Sequence, residues 1–385
     1  MTESSSRPRV LVLTYTPIAR EPRALKQIRR LSGEYDVTTA GFGPAPEPTL
    51  AHIELTEELA YVNTRAGRLR YLLLLLFRQY RRGYRFNVRD QSAYRLLAAA
   101  NWDVVIAHDV QTVTMANRLT VRRGVIVDLH EYAPRQNEHS LAWRILIAPY
   151  FRWLCRTEVT KAAAVTTVSQ GIVDEYRREF GIKASLVVNA TPYSDQTPTP
   201  VGSALRLVHS GIPAPQRRLE IMIEAVVATT SDVSLDLYLI DDGSAYLNRL
   251  KQLASGHDRV RFRETVPYDD LVRTLNGYDI GLSIFAPTTF NLAWCLPNKF
   301  FDFIQARLGV VVGPSPEMTR FVDEYKIGAV MDDFSAEALT RLLDTLTPEM
   351  VGAWKTASDR HARELSSEMQ LEEWSRIVRE LVDAV

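Results

Sequence analysis

The sequence predicts an α/β chain built of two parallel, doubly wound sheets in tandem. Three observations carry this. Short apolar, β-branched runs alternate with helical patterns from end to end. A stretch rich in proline and small polar residues, Thr191–Ala204 (TPYSDQTPTPVGSA), interrupts that rhythm near the middle. The 385 residues are too many for one ordinary core and fit two domains of roughly 150–200 residues each.

The elements follow in order. Arg9–Tyr15 (RVLVLTY) is apolar on both faces, as a strand covered on both sides must be. Arg23–Leu31 reads as a helix and Val37–Ala40 as the next strand. Val104–Ala107, Val125–Val127, Val165–Val168 and Leu186–Val188 continue the series, each followed by a helix or turn. After the proline-rich stretch a second series starts at Leu205 (LRLVHSG) and runs through Leu235–Ile240, Val260–Phe262, Ile280–Ile284 and Val310–Val312. Both halves are therefore Rossmann-like. In such sheets ligands sit beyond the carboxyl ends of the strands, and two sheets facing each other place the expected site in the cleft between them. Two independent domains with separate roles is the alternative.

Composition removes several function classes. Lys+Arg and Asp+Glu are both 46, and this zero balance argues against a nucleic-acid partner. Cys155 and Cys295 cannot form a disulfide framework, and no Cys/His spacing resembles a zinc site. The longest apolar run, Tyr71–Phe77, is far shorter than the ~20 residues of a membrane span. No secretory signal is legible in MTESSSRPRV, so the cytoplasm is the expected compartment. Thr14–Arg20 (TYTPIAR) lacks the glycines of a dinucleotide fingerprint, and neither a Walker sequence nor a Gly-x-Ser-x-Gly elbow is present.

What remains points to an anion. In Asn291–Gly313 (NLAWCLPNKFFDFIQARLGVVVG), Pro297-Asn298 opens a helix with Lys299 in its first turn and Asp302 about one turn on. A helix start presents free N–H groups and the positive dipole end, which suits a diphosphate. Asp302 is placed to accept hydrogen bonds from vicinal hydroxyls such as a ribose. On spacing alone an ordinary capped helix with solvated side chains explains the segment equally well. After the strand Leu205–His209, Gly211 permits close backbone approach, and Arg217 and Arg218 are expected at the start of the next helix, as a phosphate clamp or as a surface pair. In the first half, His108 ends WDVVIAH, and Asp128-Leu129-His130-Glu131 follows the next strand. A histidine there can bind a sugar hydroxyl, move a proton or simply cap a strand. Asp241-Asp242-Gly243 reads as a turn rather than a metal pair.

With these residues in view, the chain resembles a GT-B glycosyltransferase of glycosyltransferase family 4, in an LPNK-type subgroup. The resemblance rests on TYTPIAREPRALKQIRRL, WDVVIAHD, VIVDLHEYAP, VTTVSQGIVDEY and VVNATP, then HSGIPAPQRRLEIMIEA, LYLIDDGSAYLNRLK, RVRFRETVPYDDLVRTLNGYDIGLSIF and LPNKFFDFIQARLGVVVGPSPEM. It implies two Rossmann-like domains facing across a cleft: residues 1–193 for the acceptor, a 194–204 linker, 205–368 for the donor, and a 369–385 helix crossing back to the first domain. It implies metal-independent, retaining transfer of a hexosyl or N-acetylhexosaminyl group from a nucleotide diphosphate sugar, with no cofactor beyond that co-substrate. Arg217 then contacts the diphosphate, Asn298 and Lys299 the phosphate and sugar, Asp302 the ribose, the Val266 backbone the base, and His108 the reacting sugar, with Gly211 and Arg218 beside the donor. The sequence departs from the family at Trp294, where the first of two paired glutamates is expected, at Asp302 for the second, and at Ile212, where a basic residue usually follows the glycine.

Arg65–Arg89 (RAGRLRYLLLLLFRQYRRGYRFNVR) has eight arginines and no acid around a Leu/Tyr/Phe centre. Such a segment suits an anionic bilayer surface, with a lipid-linked acceptor such as a polyprenyl diphosphate sugar, or else packs its leucines on the sheet. Trp143–Arg156 has similar character. Arg78, Arg81 and Arg82, together with Arg23, His130 and Glu131, are the candidate acceptor- or membrane-side residues, on the inner face of the cell membrane. The alternatives are a sugar-nucleotide epimerase of the same fold and a non-catalytic membrane-associated partner in polysaccharide assembly.

Overall fold

A computed structural model describes residues 7–56, 64–85 and 88–384. The chain forms two compact units, residues 1–187 with 371–385, and residues 188–370.

The first unit holds a seven-stranded sheet: β1 (Arg9–Pro17), β2 (Asp36–Phe42), β3 (Ala51–Glu54), β4 (Trp102–His108), β5 (Val121–Leu129), β6 (Ala164–Thr167) and β7 (Ala184–Leu186), in the order β3-β2-β1-β4-β5-β6-β7. All pairings are parallel. The reversal of strand order lies between β1 and β4. Val10, Leu11, Val12 and Leu13 are fully buried, as a central strand covered on both faces requires. The helix Pro22–Ser32 closes one face through Ala24, Ile28 and Leu31. Its proline at the first helical position supplies a ready φ and loses no needed N–H. Trp374, Ile377 and Val378 of the last helix (Ser367–Asp383) are buried in this unit.

The second unit holds a six-stranded parallel sheet: β8 (Leu205–Gly211), β9 (Val233–Leu239), β10 (Val260–Arg263), β11 (Ile280–Ser283), β12 (Gly309–Val312) and β13 (Gly328–Val330), ordered β10-β9-β8-β11-β12-β13. Here the reversal lies between β8 and β11. The helix Asn298–Gln305 sits tightly on the sheet because Gly281 of β11 has no side chain: a Cβ there would stand 2.2 Å from the Phe303 ring. Residues 188–204 have no regular structure, yet they are tied to this unit. Thr191 Oγ1 donates to Asp302 Oδ1 (2.6 Å), the Ser194 N–H to Gln305 Oε1 (3.1 Å) and Thr199 Oγ1 to the Asn276 carbonyl (3.0 Å).

The Arg65–Arg89 stretch is not one helix. It forms Arg65–Leu76 and Tyr80–Arg85, and a further helix starts at Val88 (Val88–Leu97). Residues 86 and 87 lie outside the described residues. Leu75 is buried, whereas Leu69, Leu72, Leu73, Leu76 and Phe77 are exposed, so most of the leucines do not pack on the sheet. No described helix is long and apolar enough to cross a membrane.

Candidate functional site

In the second unit a cavity of about 500 Å³ opens at the carboxyl ends of the strands. Gly211 ends β8, the strand at the order reversal, where an α/β sheet leaves a crevice. With φ at +140°, Gly211 holds a backbone that L side chains rarely adopt. A Cβ on it would stand 2.9 Å from Lys299 Nζ and 3.3 Å from Arg217 Nη1. The two cations, about eighty residues apart in the chain, thus converge on one point beside bare backbone. Asn298, Asp302 and Val266 line the same cavity.

Lys299 lies in the first turn of its helix, whose start carries no side-chain cap. Its ammonium is buried and donates to His209 Nε2 at 3.0 Å. His209 Nδ1 lies 2.7 Å from the Leu282 carbonyl, so the ring donates there and keeps Nε2 free to accept. Burial, followed by the Lys299 charge, holds His209 well below its ordinary value. Burial and the neighbouring Arg217 pull Lys299 down to about 7, against the opposite pull of Asp302 and Cys295. Asp302 is buried and takes the Thr191 hydroxyl. Asn298 Oδ1 accepts from Asn189 Nδ2 at 2.8 Å.

Arg218 is not brought to this point. The helix that follows β8 begins at Glu220, and Arg217 instead ends a short 3-10 turn, Pro215–Arg217. Arg218 takes a left-handed conformation (φ +50°) and does not line the cavity that Arg217 lines. Its Nε lies 3.7 Å from Glu220. Ile212 and Ile240, both exposed, line the cavity together with Tyr238, Tyr268 and Leu271. Sequence reasoning missed these and His209. An aliphatic directly after the glycine that ends a strand was the available signal for Ile212, whereas Ile240 read as the last residue of the strand Leu235–Ile240, which ends at Leu239. Asp241 and Asp242 accept from the N–H groups of Gly243 and Ser244, as a turn requires.

In the first unit the residues at the ends of β4 and β5 form a closed polar cluster. His108 is buried, with Nδ1 2.9 Å from His130 Nε2 and Nε2 2.9 Å from Gln27 Oε1. Burial pulls His108 down to about 3, so it is neutral. For His130 burial acts downward, but Asp109 and Asp128 outweigh it and raise the ring to about 9. Charged His130 therefore donates to His108, which donates to Gln27. Glu131 is pushed up to about 7 by burial and Asp109.

Arg23, a candidate for the acceptor side, is instead interior. Its Nε and Nη2 each donate to Asp128 at 2.7 Å, Nη1 donates to the Val187 carbonyl at 2.8 Å, and its guanidinium stacks 4.5 Å from the Trp374 ring. Burial alone would raise Asp128, but Arg23 and the bond to His130 hold it well below the usual carboxylate range. His108, Asp128 and His130 place three ligand-type atoms within 4.8 Å of one another. A cation there would have to displace Arg23 from Asp128. Arg78, Arg81 and Arg82 share the wall of a separate cavity in this unit, with Gln79, Tyr80 and Trp153.

Known proteins match the chain in part of its sequence and in its fold. A family model described as Glycosyltransferase Family 4 matches residues 12–190. No curated protein sequence matches the chain. Solved structures match it nearly end to end. Anabaena HepE in complex with UDP is 12% identical, with a TM-score of 0.70 over 97% of this chain and 100% of that one. Sucrose-phosphate synthase from Thermosynechococcus elongatus is 11% identical, with a TM-score of 0.66 over 98% and 100%. WaaG, a glycosyltransferase involved in lipopolysaccharide biosynthesis, is 12% identical, with a TM-score of 0.63 over 96% and 99%. The chain thus has the two-sheet α/β fold of the GT-B glycosyltransferases, and its residues 12–190 match the Glycosyltransferase Family 4 model.

Proposed function

We propose that this chain is a retaining glycosyltransferase of family 4, of the LPNK-type subgroup, moving a hexosyl or N-acetylhexosaminyl unit from a nucleotide diphosphate sugar to a lipid-linked glycan acceptor at the cytoplasmic face of a membrane. The observation that carries the reading is the convergence of Arg217, Lys299 and the Asn298 helix start on Gly211 in one cavity. The family match and the UDP bound to the HepE structure support it.

In this reading the diphosphate lies against Gly211. Breaking the bond between the sugar's anomeric carbon and the diphosphate oxygen leaves negative charge on the diphosphate and positive charge on the ring. Arg217, Lys299 and the helix N–H groups stabilise the first. Preorganised donors of this kind contribute about 3 kcal/mol each in a dry site. The acceptor oxygen attacks from the face the diphosphate leaves, a diphosphate oxygen takes its proton, and the anomeric configuration is kept. Protein cations do the work a metal would otherwise do. Asp302 holds the ribose, and the Val266 backbone reads the base, with Tyr268 and Leu271 beside it. Exposed leucines among arginines in 65–82 support a membrane-borne acceptor.

The test is incubation with a panel of nucleotide diphosphate sugars, with and without polyprenyl diphosphate-linked acceptors. The reading predicts nucleoside diphosphate release that depends on acceptor and a product with the donor's anomeric configuration. Donor turnover without acceptor would instead indicate an epimerase.

A further inference from the structure

We propose that the first unit carries a seat for a single phosphate-bearing lipid. Arg78, Arg81, Arg82 and the Tyr80 hydroxyl hold the phosphate, and the start of the hydrocarbon chain enters a tyrosine-lined cavity beside them. This rests on the reading that the acceptor is lipid-linked, and adds which residues take the lipid phosphate and where its chain goes.

Two cavities adjoin along Gln79 and Tyr80. One, of about 200 Å³, is walled mainly by Tyr71, Leu74, Leu75, Tyr84, Tyr150 and Phe151, with Gln111 and the Arg89–Asp90 ion pair also in its wall. The other, of about 470 Å³, is walled by Arg78, Arg81, Arg82 and Trp153 with the two shared residues. Among the described residues no carboxylate lies within ion-pair distance of Arg78, Arg81 or Arg82, so three like charges share one wall with no acidic side chain in it. Arginine forks on a concave wall suit phosphate oxygens.

Tyr80 supplies an independent observation. Its ring is 6% exposed and packs against Tyr150 (centroids 5.3 Å apart) and Trp153 (5.6 Å). Its hydroxyl is buried with no hydrogen-bond partner among the described residues. An orphaned buried hydroxyl costs stability and calls for a partner that arrives from outside. Arg78 adds another cost. It ends the helix Arg65–Leu76 in the left-handed region (φ +54°), a position that favours glycine. Strain of this kind persists where surrounding structure or function requires the side chain.

The ligand class follows from the pair of cavities. A soluble anion uses the arginines but leaves the tyrosine cavity empty. A hydrocarbon fills that cavity but leaves the arginines unpaired. An amphiphile with a phosphate head satisfies both, and the exposed Leu69, Leu72, Leu73, Leu76 and Phe77 of the preceding helix continue the apolar path into a bilayer. Tyrosine and tryptophan at the boundary are the side chains that tolerate one wet and one apolar end.

The experiment is flotation of the full chain with phosphatidylcholine vesicles that carry either a polyprenyl monophosphate or phosphatidylserine at matched surface charge, with calorimetry on inorganic diphosphate alone. The polyprenyl phosphate vesicles should bind more tightly than the phosphatidylserine ones. Tyr80→Phe should weaken that binding about tenfold without lowering the melting temperature, since it removes only an unpartnered hydroxyl. The double variant R81A/R82A should weaken it about thirty-fold. Equal binding to both vesicle types, or binding unchanged in both variants, overturns the seat. Inorganic diphosphate binding that the same substitutions abolish, with no preference for the lipid, assigns the arginines to a free phosphate and also overturns it. UDP titrated into the same preparations separates this from the donor reading. Intact UDP binding with no lipid preference removes the lipid seat alone, and absent UDP binding with the lipid preference retained removes the donor assignment alone.

Discussion

Lys299 is a lysine whose charge the site controls. Buried beside Arg217 and bonded to a neutral His209, its ammonium is held down to about 7, so near neutrality an empty site carries it only partly charged. A bound diphosphate favours the charged form and raises that value. Binding therefore takes up a proton once the pH exceeds about 7, and affinity should fall as pH rises through that value. UDP-glucose, whose two phosphate charges are constant in this range, is the suitable probe, with calorimetry in buffers of different ionisation enthalpy. A pH-independent affinity and no proton uptake would contradict this. At this scale the sequence was legible where a residue type stands at a strand end or a helix start, as for Gly211, Arg217 and Lys299, which the structure brings together. It was not legible at Arg218, since nothing in QRRLE shows its left-handed conformation or its place outside the cavity that Arg217 lines. Arg23 was misplaced for a related reason. An arginine near a strand end reads as a solvent-facing cation until its partner, Asp128, over a hundred residues away, is known.

Among the elements, β8 is the one whose end carries the proposed anion site. Gly211→Ala would add a Cβ 2.9 Å from Lys299 Nζ and force an alanine to φ +140°. The strain alone costs about 1–3 kcal/mol. The expected outcome is a lowered melting temperature and no detectable UDP binding, whereas wild-type affinity in the variant would remove Gly211 from the site. The central strands were readable because they are buried on both faces and spell continuous apolar runs. β3 (AHIE) and β13 (GAV) were missed because edge strands are short and half-exposed, and carry neither run nor alternation. The proline-rich stretch has linker composition, but its hydroxyls and amides are bonded to the second unit, which composition does not encode. Nothing in the apolar run of the basic segment 65–89 marks the left-handed break at Arg78.

The whole molecule is two sheets of one architecture, and its last residues, 371–385, complete the first unit. There Trp374 covers the Arg23–Asp128 pair while Ile377 and Val378 enter the core. Removing Arg23 leaves buried Asp128 with only His130 and the Thr166 hydroxyl as partners, a loss of up to about 3–5 kcal/mol. Arg23→Ala should therefore lower the thermal midpoint of the first unit by several degrees, read by differential scanning calorimetry, and an unchanged midpoint would show that the pair does not hold the fold. The alternation of strands and helices made this architecture legible in the sequence, but the partition of the C-terminal helix was implied only by family resemblance. Calorimetry of UDP with the intact chain and with Arg217→Ala and Lys299→Ala, each checked for an unchanged circular dichroism spectrum, tests the proposed chemistry most directly. Saturable binding to the intact chain that weakens about 10–100-fold in each variant is expected from losing one charge-assisted bond; affinity unchanged in both variants, or no binding to the intact chain, would contradict it.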